Sequence, residues 1–188
     1  MSSSRFNISS TAIAALMVIQ RTQVEDQRGF FSRLYCAVEM RQTGWNKPIA
    51  QINHTFTRTK GAVRGLHFQY PPHAETKIVS CIKGEVFDVA VDLRRGSPTF
   101  LRWHGETLSA LNCKSLLIPE GFAHGFQALG EDCELIYLHT AAYCPEAEGA
   151  INFADPRVAI QWPIAVTQLS ARDKEYSFLE QEFDGIAI

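Results

Sequence analysis

Apolar and polar residues alternate in short runs through the middle of the chain. After Gly84, the side chains of Phe87, Val89, Val91 and Leu93 alternate with smaller or acidic residues. That period of two predicts a half-buried strand over 86–93. Similar β-rich runs cover 77–83, 100–108, 115–118, 122–129 and 133–140. Gly96-Ser97-Pro98, Pro119-Glu120-Gly121 and Gly130-Glu131-Asp132 supply turns between them, at the spacing of an all-β sandwich or barrel. Helical periodicity is scarce. One short piece is predicted over 35–42, stopped near Gly44, and another after Ser170. The apolar run from Thr11 to Ile19 is too short to span a bilayer and has only Arg5 before it, so an opening strand explains it better than a signal peptide. The expected architecture is an all-β jelly-roll barrel with short peripheral helices, whose inward strand faces surround one ligand-sized cavity.

Composition narrows this further. No repeat, low-complexity tract or linker divides the 188 residues, so one domain is expected over 1–188, with peripheral end segments at about 1–10 and 176–188. With 46% hydrophobic and 20% charged residues, a disordered chain is excluded. A formal net charge of -2 argues against nucleic acid as a partner, because phosphate-backbone binding draws on an excess of Lys and Arg. Any anionic ligand must be met by a few placed cations. The five cysteines are odd in number and include no C-x-x-C pair, which fits reduced thiols and a cytoplasmic protein with no membrane partner.

Candidate chemistry sits in the strand runs. Arg64 and His67 lie three apart, on opposite faces of an ideal strand unless a bulge at Gly65 re-aims one. Lys77 follows, and Tyr137 and His139 share one face of a later strand. Pro119 to Gly125 adds His124. Four imidazoles, His67, His73, His124 and His139, raise the question of a metal centre. The spacing argues against one, since Pro71-Pro72 stands between the first two where a tight His-x-His pair is wanted.

Together Arg28-Gly29-Phe30-Phe31, Gln51-Ile52-Asn53, Arg64 to Gln69, Phe87 to Asp92, Ser97 to Phe100 and Pro119 to Gly125 resemble the dTDP-4-dehydrorhamnose 3,5-epimerase family. The match continues through Pro145 to Gly149, Asp155-Pro156 and Trp162-Pro163, in the family's order over about residues 8 to 175. The resemblance implies a cupin-like jelly roll that uses no metal and no cofactor, a homodimer, and a nucleotide-sugar substrate, most often dTDP-linked. It puts the general base on His67, its orienting carboxylate on Asp173, the enolate-stabilising ammonium on Lys77 and the acid on Tyr137. Nucleotide and sugar contacts fall on Arg28, Gln51, Asn53, Arg64, His124, Tyr143, Glu148 and Arg172.

These residue types suit the chemistry. A hydrogen beside a ketone is removed only if the enolate charge is stabilised, and a compact ammonium in a dry cavity does that. A neutral imidazole near neutral pH accepts the proton, and a phenol delivers another from the opposite face. Each has a plainer explanation: a hydrogen-bonded core histidine or tyrosine, surface solvation for Arg28, a helix cap in Ser170-Ala171-Arg172-Asp173. The chain departs from the family at Ser32-Arg33, where a Glu is common, at Ala142, where members often have a second aromatic beside Tyr143, and at His54-Thr55. The sequence leaves open whether carbon 3, carbon 5 or both are inverted. A ketoisomerase, a non-catalytic sugar-binding barrel and a metal-dependent oxygenase stand as rivals.

Overall fold

The computed structural model describes residues 4–188. The short-period pattern becomes thirteen strands and two short helices: β1 (Phe6–Ser10), β2 (Met17–Arg21), β3 (Gln23–Asp26), β4 (Gly29–Ser32), α1 (Ala37–Met40), β5 (Gln51–Thr57), β6 (Val63–Gln69), β7 (Lys77–Lys83), β8 (Glu85–Asp92), β9 (Trp103–Ser109), β10 (Lys114–Ile118), β11 (Phe122–Ala128), β12 (Cys133–His139), β13 (Glu148–Ala150) and α2 (Ala171–Glu175). Neighbouring strands within each sheet pair antiparallel, and two isolated bridges, Ala62 to Gln168 and Arg94 to Ile186, are parallel. One sheet runs β1-β2-β10-β7-β12-β5, a second β13-β6-β11-β8-β9, and β3-β4 stands apart as a hairpin. The two large sheets pack face to face as a jelly roll, in agreement with the expected fold class.

Three apolar layers hold it. Between the sheets, Val79, Leu116, Ile118 and Leu135 of the first meet Val86, Leu108, Phe122 and Phe126 of the second. Outside the first sheet, Phe6, Ile19, Ile78, Leu117 and Leu138 are covered by Met40 and Trp45. Outside the second, Val89, Val91 and Leu93 are covered by Ile151, Val158 and Ile186. Each such large side chain withdrawn from water contributes about 2 kcal/mol.

The third layer corrects the half-buried assignment of β8. Both its faces are buried, because the segment after β13 wraps the face bearing Phe87, Val89, Val91 and Leu93. Its alternate residues, Asp88 among them, therefore point between the sheets rather than to water. The run from Thr11 to Ile19 is corrected too. It is a turn through Ala15 (φ 69°) followed by β2, and the opening strand is β1. The strand expected from Phe100 begins only at Trp103, since 99–102 form a turn with Leu101 at φ 61°. The end segments seat buried side chains at Phe6 and Ile186, and Ile186 bridges to Arg94; residues 1–3 lie outside the described residues.

The helical expectations hold. α1 continues as one tight turn to Thr43 and stops at Gly44, whose φ of 86° lets its N–H bond Arg41 O. α2 begins at Ser170, whose hydroxyl accepts from Asp173 N. All five cysteines are free, and among the described residues no helix is long and apolar enough to cross a membrane.

Candidate active site

A cavity of about 760 Å³ opens between the sheets, the size of a ligand pocket. β6 supplies Arg64 and His67, and a bulge brings both to it. Along β11, His124 pairs with His67 and Phe126 with Arg64, so β6 carries one extra residue between them. Gly65 sits in that bulge at φ 115°. A Cβ there would lie 2.6 Å from Gly125 Cα and 2.7 Å from His124 O, so only glycine lets the strands approach this closely.

β12 presents Tyr137 and His139 on one face, rings stacked at 6.0 Å and 15°. The Tyr137 ring meets His124 of β11 edge-on at 5.9 Å. Asp173, buried on α2, accepts from His67 Nε2 at 2.8 Å. With Nε2–H committed there, Nδ1 carries the lone pair. Both explanations of Asp173 hold at once: its backbone N–H is capped by Ser170 Oγ at 3.0 Å while its carboxylate orients the imidazole. Burial alone would push the Asp173 carboxyl up, but the hydrogen bond and charge of His67, with Ser170 and the Gly65 backbone, bring it below the usual carboxylate range. Burial raises the Tyr137 phenol well above its ordinary value, so it stays a proton donor. Burial, and then the Lys77 ammonium, lower His139 to about 4, keeping that ring neutral.

Lys77 begins β7, with its ammonium 2.8 Å from Glu75 Oε1 and both side chains 7% exposed. At the mouth, the Tyr143 hydroxyl and Arg172 both bond Glu148 Oε2 at 2.9 Å. Gln51 Oε1 accepts from Tyr143 N at 2.9 Å, and the Gln51 amide donates to Asn53 Oδ1 at 3.0 Å. Arg64 donates to Thr57 Oγ1 at 3.0 Å and Phe56 O at 3.1 Å.

Every candidate catalytic or binding residue named from the sequence lines this cavity except Arg28, and of the four imidazoles only His73 lies outside it. Arg28 lies exposed on the β3-β4 hairpin, paired with Asp26 at 2.5 Å. Arg33 forms an ion pair with Glu39 at 2.5 Å and does not line the cavity; in His54-Thr55, His54 pairs with Glu134 at 3.0 Å while Thr55 faces the cavity.

Three further groups stand at the site without a motif that marks them. Asp88 accepts from His124 Nε2 at 2.8 Å; on a strand buried on both faces it points between the sheets, where alternation alone would put it in water. Glu75 stands two before Lys77, and on extended chain that spacing is itself the sign of a shared face. Arg58 also lines the cavity, its guanidinium 5.6 Å from the Phe56 ring centroid. Among the described residues, no three His, Cys, Asp or Glu side chains converge to hold a metal ion.

The family model described as dTDP-4-dehydrorhamnose 3,5-epimerase matches residues 10–181. The chain belongs to that family. A 3,5-epimerase of Salmonella typhimurium is 43% identical over 173 residues, 91% of this chain and 94% of that protein. The crystal structure of dTDP-6-deoxy-D-glucose-3,5-epimerase from Legionella pneumophila, in complex with dTDP-4-keto-L-rhamnose, superposes with a TM-score of 0.90 at 38% identity, covering 97% of this chain and 99% of that one. A dTDP-4-dehydrorhamnose 3-epimerase of Streptomyces niveus is 36% identical over 92% of this chain and 83% of that protein. Epimerase relatives of this kind catalyse isomerisation of nucleotide sugars, and the barrel described above is their fold.

Proposed function

We propose that this protein inverts carbons 3 and 5 of dTDP-4-dehydro-6-deoxy-D-glucose to give dTDP-4-dehydro-L-rhamnose. The observation that carries the reading is one cavity holding a carboxylate-oriented imidazole, a neutral phenol and a buried ammonium. His67 Nδ1 takes the proton from the carbon beside the ketone. The C–H electron pair moves onto the carbonyl oxygen, where Lys77 donates an N–H to the enolate. Tyr137 delivers its hydroxyl proton to the opposite face of the carbon, and the enolate collapses to the ketone. The phenolate regains a proton and His67 releases one, so the step is an isomerisation without net change. His124 holds the Tyr137 ring edge-on. Tyr143 stacks on the base, and Gln51, Asn53, Glu148 and Arg172 frame nucleotide and ribose, with Arg64 on the diphosphate.

Arg28 belongs to this reading only if a second copy contributes it. A homodimer formed through the hairpin, where Val24, Phe30 and Phe31 are exposed, is the arrangement we propose. A single domain acting in the cytoplasm completes the reading.

The test is incubation with the keto sugar nucleotide in deuterated water with a chelator present, following label at carbons 3 and 5 by NMR. Label and inversion at both carbons is the expected result. Label at one carbon makes the protein a single-site epimerase like its Streptomyces niveus relative. Folded protein giving no label at either carbon overturns the reading.

A further inference from the structure

The cavity is charged very unevenly. On its floor three groups able to carry positive charge each have their own carboxylate: the part-buried His67 with Asp173, and the buried His124 with Asp88 and Lys77 with Glu75, each pair 2.8 Å apart. The fourth ring, His139 on β12, stands in register with Lys77 and is held neutral, and Ile118 on β10 is Lys77's other cross-strand neighbour. One ammonium and two titratable imidazoles against three carboxylates leave the floor neutral at most. At the mouth, Arg58 and Arg64 are exposed, and neither pairs with a carboxylate among the described residues.

We propose that Glu75 is a specificity-determining residue: by matching the Lys77 ammonium it denies the floor to phosphate anions, so that a nucleotide sugar enters only with its diphosphate at the mouth arginines and its neutral keto sugar on the floor. This rests on the epimerase reading, and it names a role for a residue that reading does not use.

Two facts make the arrangement coherent. A bare buried ammonium attracts phosphate, because Coulomb attraction at contact is screened far less in a partly dry cavity than in water. Without Glu75, Lys77 would compete with the arginines for the diphosphate. The enolate, by contrast, needs no net positive floor. Its charge appears as His67 gains a proton, so the total is unchanged, and Lys77 needs only to aim an N–H at the oxygen. Glu75 Oε1 takes one ammonium donor while the other carboxylate oxygen accepts from Gln69, whose own carbonyl receives Cys144 N at 2.6 Å. The carboxylate is therefore fixed from both sides, and Lys77 keeps donors for substrate.

Inorganic pyrophosphate is the probe, with affinity read by calorimetry. Glu75→Gln keeps the shape and an oxygen for Gln69, and it should bind pyrophosphate roughly tenfold more tightly than the unmodified protein. Glu75→Asp keeps the charge and should stay within about threefold. Adding Lys77→Met to Glu75→Gln should restore the original affinity. Equal affinity in a folded Glu75→Gln overturns the proposal, as does a gain that survives removal of Lys77. A second measurement needs no variant. Pyrophosphate should shift the arginine Nε–H signals of Arg58 and Arg64 and leave the imidazole signals of His67, His124 and His139 in place. Floor signals that move with the same saturation overturn it. None of this requires turnover, so an inactive protein would sink the epimerase reading while these titrations still decide the role of Glu75.

Discussion

The floor and the mouth of the cavity are built by different means. On the floor, Lys77, His124, Tyr137 and Asp173 are buried, three of them fixed by strand register and the fourth by a helix cap, with partners at 2.8 Å for the three that ionise. At the mouth, Tyr143 on a loop, Arg172 on α2 and Arg64 on β6 are exposed, tied by bonds that water competes for. Groups that must meet a reacting carbon within fractions of an ångström are set in rigid, dry positions, and groups that recognise a flexible nucleotide are left adjustable.

Variants at the two levels should therefore fail differently. The largest effect is expected from His67→Ala, which removes the base and should lower deuterium incorporation by about a thousandfold with little change in dTDP affinity. Comparable loss of nucleotide binding would mean that His67 serves recognition instead. Next comes a stability effect at the floor. His139 is lowered to about 4 by burial and by Lys77, against about 6.5 in the unfolded chain. Between those values the unfolded state binds the extra proton, so stability should fall as pH drops from about 6.5 to 4, by about 3 kcal/mol, and be unaffected by this group above that window. Urea unfolding of the protein and of His139→Asn across that range would show it as a slope that the variant lacks. Tyr137→Phe should then reduce inversion by about a hundredfold while exchange persists, since removal of the proton does not need the phenol. Equal losses in both would assign Tyr137 to enolisation itself. The smallest effect belongs to the mouth. Tyr143→Ala should raise KM about tenfold through lost stacking and leave kcat nearly unchanged.

Much of the site was legible because strand alternation and the joined motifs carry it. Lys77, Tyr137 and His124 come from strands whose runs are plain in the sequence, and a bulge at Gly65 was the stated condition for Arg64 and His67 to converge. What could not be read depended on parts of the chain with no period of their own. The faces of β8 were misjudged because the irregular segment after β13 covers one of them, and Asp88 was lost with that face. Arg28 follows a readable motif, yet its place on a separate hairpin takes it away from its own cavity. Turns were the least legible feature: Ala15 and Leu101 adopt positive φ, where composition suggests continuous strand.

The pairing of His67 with Asp173 joins residues 106 positions apart. Every strand of the two large sheets precedes residue 151, so the barrel and its base are complete in the chain before the carboxylate is made. A nascent chain thus holds an imidazole with nothing to orient it until α2 has docked. The cap at Ser170 that starts α2 is then also the last fastening of the site, and competence for proton transfer arrives with the final fold of the polypeptide rather than with the barrel.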